Sequence, residues 1–214
     1  MRSVIGFLLL VTSATTIAAA QESGLKSYTA EYKVSASGLD LGKLTVRLSI
    51  SNGAYQYTKS TDASGLMKWI SNDELNESSE GQLENGKPQP QNYHYLHTRR
   101  KGTKEESVSF SDEKVSGHYN QAPFTLKNQP ELQDKASQDI VLMQEFRQGS
   151  QSIEINVVDK GRIKTQTYRF EGHETLHIGG KNYETNKLVV VRENSARITQ
   201  FWLAPELQNI PVQF

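Results

Sequence analysis

Residues 28–57 read YTAEYKVSASGLDLGKLTVRLSISNGAYQY, and the fold follows from them. Tyr28, Ala30, Tyr32 and Val34 alternate with Thr29, Glu31 and Lys33, and Leu44, Val46, Leu48 and Ile50 alternate with Thr45, Arg47 and Ser49. A period of two with one apolar side predicts half-buried antiparallel strands. Asn52-Gly53 then separates the second run from Tyr55-Gln56-Tyr57. That dipeptide accepts the positive φ angles of a tight hairpin turn, so the three strands form a meander.

The same grammar continues along the chain. Alternation recurs at 92–100, 106–111, 114–119, 152–158, 163–170, 173–178, 183–193 and 197–203, with turn signals at Asp112-Glu113, Asp159-Lys160-Gly161 and Gly179-Gly180. Pro88 and Pro90 argue against a central strand just before Asn92. A helix is predicted over 137–147, with Ile140, Val141, Met143 and Phe146 on one face, Ser137 as its cap and Gly149 as its stop. Leu66, Met67, Trp69 and Ile70 fit a single helical turn or a loop cap. The expected fold is all-β and mainly antiparallel: a single curved sheet or open β-barrel of about ten or eleven strands with one or two short helices. No internal repeat or long linker interrupts it, so 21–214 is expected to be one β-rich domain.

The first 20 residues have another character. Arg2, the apolar run 4–11 and Ala18-Ala19-Ala20 form a secretory signal peptide, with cleavage expected after Ala20 and a periplasmic destination. The apolar run is too short to span a membrane, and no later segment is apolar enough to do so. Over all 214 residues, 24 Lys and Arg balance 24 Asp and Glu. Such neutrality argues against a nucleic-acid partner. The chain has no Cys, which removes disulfides, thiolate zinc sites and thiol catalysis.

One motif imitates an enzyme. His173-Glu174-Thr175-Leu176-His177 matches the H-E-x-x-H zinc-protease pattern. That chemistry requires a helix, where histidines four apart share a face; along a strand four residues span roughly 13 Å. Gly172 before the motif and Gly179-Gly180 after it favour a β-hairpin. His94 and His97 differ by an odd number within one strand and so point to opposite faces, while His118 stands alone. The adjacent acids Asp73-Glu74, Glu105-Glu106 and Asp112-Glu113 are expected to be solvated, with Glu105-Glu106 neutralising the basic Arg99-Arg100-Lys101 and Lys104. Nucleophile-elbow, Walker and dinucleotide glycine patterns are missing, so no catalytic residue, metal or cofactor is assigned.

A family resemblance rests on Trp202-Leu203-Ala204-Pro205-Glu206-Leu207 and Ile210-Pro211-Val212, together with Tyr28, Tyr32, Gly42, Ser64-Gly65-Leu66, Pro90, Tyr93 and the 168–174 strand before Gly180. These residues resemble the uncharacterised proteobacterial periplasmic family catalogued as domain of unknown function DUF3108, across the whole exported chain. The resemblance implies an exported, mostly β protein without assigned catalytic residues, and aligns Glu174 with a strand glutamate. Members continue with another strand after the Pro-Val segment, whereas this sequence stops at Phe214: either that strand is dispensable or the sequence is cut short.

Three functions compete. The first is a non-enzymatic binding or carrier domain for an apolar or lipid-like ligand, lined by Leu66, Met67, Trp69, Ile70, Met143 and Phe146; the same side chains could instead plug the core. The second is an envelope assembly or interaction scaffold that offers an exposed strand edge to a partner protein. A zinc metallohydrolase acting through His173 and His177 ranks last.

Overall fold

The computed structural model describes residues 24–36, 39–63, 73–192 and 196–214. The expected 1–20 leader and the Leu66, Met67, Trp69 and Ile70 segment lie outside the described residues. The fold is all-β and antiparallel, as the alternation requires, and its thirteen described strands form two sheets. The larger sheet is an uninterrupted eight-stranded meander of β1 (Tyr28–Ala36), β2 (Leu39–Ser51), β3 (Ala54–Ala63), β4 (Glu74–Glu84), β5 (Lys87–Arg99), β6 (Gly102–Phe110), β7 (Lys114–Tyr119) and β8 (Ala122–Lys127). After helix α1 (Ser137–Arg147), the smaller sheet runs through β9 (Ser152–Val158), β10 (Ile163–Ile178), β11 (Lys181–Val191), β12 (Gln200–Ala204) and β13 (Ile210–Gln213).

The deciding stretch folds as its pattern dictates. Tyr28 pairs with Leu48 and Tyr32 with Leu44, while Leu48 pairs with Tyr57 across the next hairpin. Asn52 and Gly53 take φ of 51° and 78°, the positive values that a two-residue turn needs. Lys160-Gly161 and Gly179-Gly180 turn the smaller sheet in the same left-handed region. The runs 163–170 and 173–178 are one strand, because the bulge between Phe170 and Gly172 shifts register without ending the pairing.

Four expectations are corrected. Pro88 and Pro90 lie within β5 and are buried. This is possible because β6 pairs with β5 only from Asn92 onward, so the proline side of the strand has no ladder to supply. The cap of α1 is Asp134 rather than Ser137: its Oδ1 accepts the N–H groups of Ala136 (2.8 Å) and Ser137 (2.7 Å). Ser137 reciprocates by accepting the Asp134 N–H on Oγ at 3.0 Å, a capping box with serine in the return position. Leu142 joins Ile140, Met143 and Phe146 as a buried residue, while Val141 is only partly buried. Glu106 is fully buried at 0% exposure, because two adjacent residues in a strand face opposite ways and one must point inward.

Helix α1 lies between the sheets and serves both. Ile140 and Met143 join Leu48, Tyr55 and Val108 against the larger sheet, whereas Leu142 and Phe146 join Ile155, Tyr168 and Leu203 against the smaller. Tyr32 Oη donates to the Pro211 carbonyl at 2.7 Å, tying β1 to β13. At the other side, the Gly161 N–H donates to Glu106 Oε1 at 3.1 Å, tying the β9–β10 turn to β6. The two sheets are thus joined at both margins by side chains, and a cleft remains between them.

Candidate functional site

The cleft encloses about 580 Å³, with walls from the inward faces of β1–β7 and β10–β13 and from the start of α1. Strand alternation selects its lining: Tyr57 and Lys59 project from β3, Tyr95 and His97 from β5, and Lys104 and Glu106 from β6.

Its midpoint is a buried ion cluster. Lys59 Nζ lies 2.7 Å from Asp139 Oδ2 and 3.3 Å from Glu77 Oε2. Tyr57 Oη donates to Asp139 Oδ2 (3.3 Å), and Tyr93 Oη donates to Glu77 Oε1 (2.7 Å). Burial works to lower the Lys59 pKa, but the Asp139 and Glu77 carboxylates outweigh it and hold the ammonium above its ordinary range. For Glu77, burial is likewise overcome by Lys59 and Lys135, and its carboxyl sits below the usual range. Asp139 goes the other way, because burial raises its carboxyl more than Lys59 lowers it. Burial, reinforced by the Asp139 carboxylate at Tyr57 and by Glu77 at Tyr93, pushes both well above an ordinary phenol.

The two ends differ. Toward β1 and β13 the wall is aromatic: the Tyr32 and Phe214 rings meet edge-on at 5.3 Å, Phe214 lies 6.4 Å from Phe201, and Phe201 lies 6.1 Å from Tyr168. Toward β6 and the β9–β10 turn the lining is charged. Lys135 Nζ sits 4.1 Å above the Tyr95 ring, a cation–π contact, and 3.9 Å from Asp159 Oδ1. Glu106 Oε2 is buried with no hydrogen-bond partner among the described residues, and burial raises the pKa of its carboxyl despite the Gly161 N–H.

Of the residues expected to line a ligand site, Met143 and Phe146 fall in different core clusters, and neither borders this cleft. Met143 accepts the Tyr28 hydroxyl on its sulfur at 3.7 Å. The residues that do line the cleft are largely polar ones on strands, above all Lys59, Glu77 and Glu106, which a search for apolar side chains passes over. A signal was present: Lys59 follows the inward Tyr55 and Tyr57 at the same two-residue spacing.

The H-E-x-x-H residues lie in the β10–β11 hairpin, His173 opposite Asn186 and His177 opposite Asn182. Glu174 Oε2 accepts the Trp202 indole N–H at 2.9 Å and lies 3.5 Å from Lys187. The helical face on which the motif would chelate zinc does not form here.

Fold and cleft together define an antiparallel, β-barrel-like protein with an internal cleft. The chain belongs to the family described as "Protein of unknown function (DUF3108)", which matches residues 27–214. Among solved structures it is similar to a beta-barrel-like protein of domain of unknown function DUF1849 from Brucella abortus, at 11% identity and a TM-score of 0.50. That likeness covers 88% of this chain and 90% of the other. It is also similar to a DUF1089 family protein from Pseudomonas aeruginosa, with 7% identity, a TM-score of 0.38 and coverage of 100% and 96%. No curated protein matches the chain. No helix among the described residues is long and apolar enough to cross a membrane.

Proposed function

We propose that the protein is an exported periplasmic carrier that holds a lipid-like ligand, without catalysis, in the cleft between its sheets. The observation that carries this reading is the cleft itself: about 580 Å³, with aromatic rings at one end and charged side chains at the other. Its volume falls within the roughly 300–1,000 Å³ of small-molecule sites. Helix α1 packs on both sheets beneath the cleft and keeps the walls apart. The leader sequence, with its Ala18-Ala19-Ala20 site, supports the periplasmic address. The ligand residues proposed here are those of the cleft.

A second reading, an envelope interaction scaffold, draws support from exposed apolar side chains, with Leu39 at 65%, Ile198 at 74% and Phe214 at 58% exposure. Native mass spectrometry of the protein purified from the periplasm separates the two. The carrier reading expects a co-purifying small amphiphile that is lost on gentle delipidation. An empty chain bound to a stoichiometric protein partner would overturn it in favour of the scaffold.

A further inference from the structure

We propose that the cleft takes an amphiphile with an anionic headgroup, a carboxylate or a phosphate, whose charge rests against Lys135 and whose hydrocarbon chain lies along the Tyr32, Phe201 and Phe214 end. The proposal rests on the carrier reading and specifies the ligand's polar half.

Charge distribution is the first support. The whole chain is neutral, with 24 bases against 24 acids, yet the cleft is lined by the cations Lys59, Lys104, Lys135, Lys160, Arg192 and Arg197 against four carboxylates. The excess is not spread evenly. Lys59 is saturated by Asp139 and Glu77. Asp159 lies 2.5 Å from Lys164 and 3.9 Å from Lys135, so two lysines share that one carboxylate. Among the described residues, Lys104 and Lys160 have no ion-pair partner. Where β6 meets the β9–β10 turn, Lys104, Lys135 and Lys160 outnumber Glu106 and Asp159, while Arg192 and Arg197 line the β11–β12 side. Low-dielectric walls focus a positive field on an entering anion.

The geometry of Lys135 is the second support. It stands just ahead of α1, where the Asp134 capping box fixes the backbone, and its ammonium lies over the Tyr95 ring at the cleft wall. Glu106 beside it is fully buried and engaged through Oε1 with the Gly161 N–H. The opposite end offers rings and the aliphatic Leu44 and Val190, which suit a hydrocarbon chain. A cleft with one cationic and one aromatic end matches a molecule with one anionic and one apolar end.

The test is isothermal titration calorimetry of the purified protein with dodecyl phosphate, dodecyl maltoside and inorganic phosphate, each below any micelle threshold and at low salt. Dodecyl phosphate is expected to bind at least tenfold more tightly than dodecyl maltoside, and Lys135→Gln to lose about tenfold for the phosphate ester alone. Unchanged maltoside binding by the variant shows that its cleft is intact. The exposed Lys160→Gln is expected to lose a smaller factor, about threefold, in the same direction. Equal affinity for the charged and neutral detergents, or a Lys135→Gln variant that keeps the preference, overturns the headgroup inference while leaving the carrier reading standing. Failure of every amphiphile to bind overturns the carrier reading itself. Inorganic phosphate binding as tightly as its dodecyl ester would establish the anion site but refute the lipid as its source.

Discussion

Replacing Lys59 by methionine removes one charge and little volume, and so isolates the ion cluster in the cleft. In the native chain two carboxylates converge on that ammonium at 2.7 and 3.3 Å, with side-chain exposures of 16% for Lys59, 8% for Glu77 and 23% for Asp139. Without it, Glu77 and Asp139 face one another with only tyrosine hydroxyls as donors. Breaking a buried pair by removing one partner costs roughly 3–5 kcal/mol, which at this chain length lowers Tm by about 6–20 °C. The cost also depends on pH in a definite direction. Native Glu77 has a depressed pKa, so its stabilising contribution is full above the ordinary carboxylate range and is lost as pH falls through the folded value. In the variant Asp139 loses its cation and Glu77 keeps only the influence of Lys135, so both pKa values rise; the folded state then takes up protons before the unfolded chain does. The deficit of Lys59→Met against the native protein therefore narrows from pH 8 toward pH 5. Urea unfolding followed by circular dichroism at both pH values measures it, and the triple variant Lys59→Met, Glu77→Gln, Asp139→Asn is expected to recover most of the loss. A deficit below about 1 kcal/mol, or one that does not change with pH, would refute the reasoning.

Other consequences follow from single contacts. Burial pushes Asp134 up to about 6, against 3.8 for a free side chain, so the charged form costs the folded state up to about 3 kcal/mol above pH 6, a cost that disappears as pH falls below about 4. Asp134→Asn keeps the acceptor that caps α1, so the difference between it and the native protein across urea titrations is expected to favour the variant at pH 8 and to vanish at pH 4. Gly161→Ala would place a Cβ 2.9 Å from the Phe124 ring at a φ of +68°, and is expected to cost about 1–3 kcal/mol in urea unfolding by lifting the β9–β10 turn off β8. Leu142→Ala, at 2% exposure between α1 and the smaller sheet, should cost about 2–5 kcal/mol in the same assay. His177→Ala removes an exposed contact with Asn182, so unfolding free energy should stay within about 0.5 kcal/mol, and elemental analysis should show the same zinc content as the native protein.

How far the sequence was legible depended on which residues faced inward. Strands with apolar inward positions, such as Val46 and Leu48 on β2, were plain from alternation, as was the helix from Ile140 to Phe146. β4 was not, because its buried positions are Glu77, Ser79 and Gly81, which carry no hydropathy signal. Those polar inward positions face the ion cluster and the helix cap: Glu77 meets Lys59, and Ser79 Oγ donates to Asp134 at 2.6 Å. The strand hardest to read is therefore the one that supplies much of the candidate site. Glu106 escaped notice for a related reason, since it neighbours Glu105 in sequence but faces the opposite way. β8 and β13 went unread as well, while the runs 163–170 and 173–178 proved to be the single strand β10, which is why thirteen strands stand where ten or eleven were expected. The H-E-x-x-H match was resolved correctly by its flanking glycines, which limited any helix before its chemistry had to be considered.

Backbone amide shifts of isotopically labelled protein, recorded as dodecyl phosphate is added, test the central claim most directly. The account predicts shifts concentrated at cleft residues such as Tyr57, Tyr95, Val190 and Phe201, with exposed residues on the same strands, Gln56 and His94, nearly still. Shifts confined to the outer faces of the sheets, or none at saturating ligand, would contradict it.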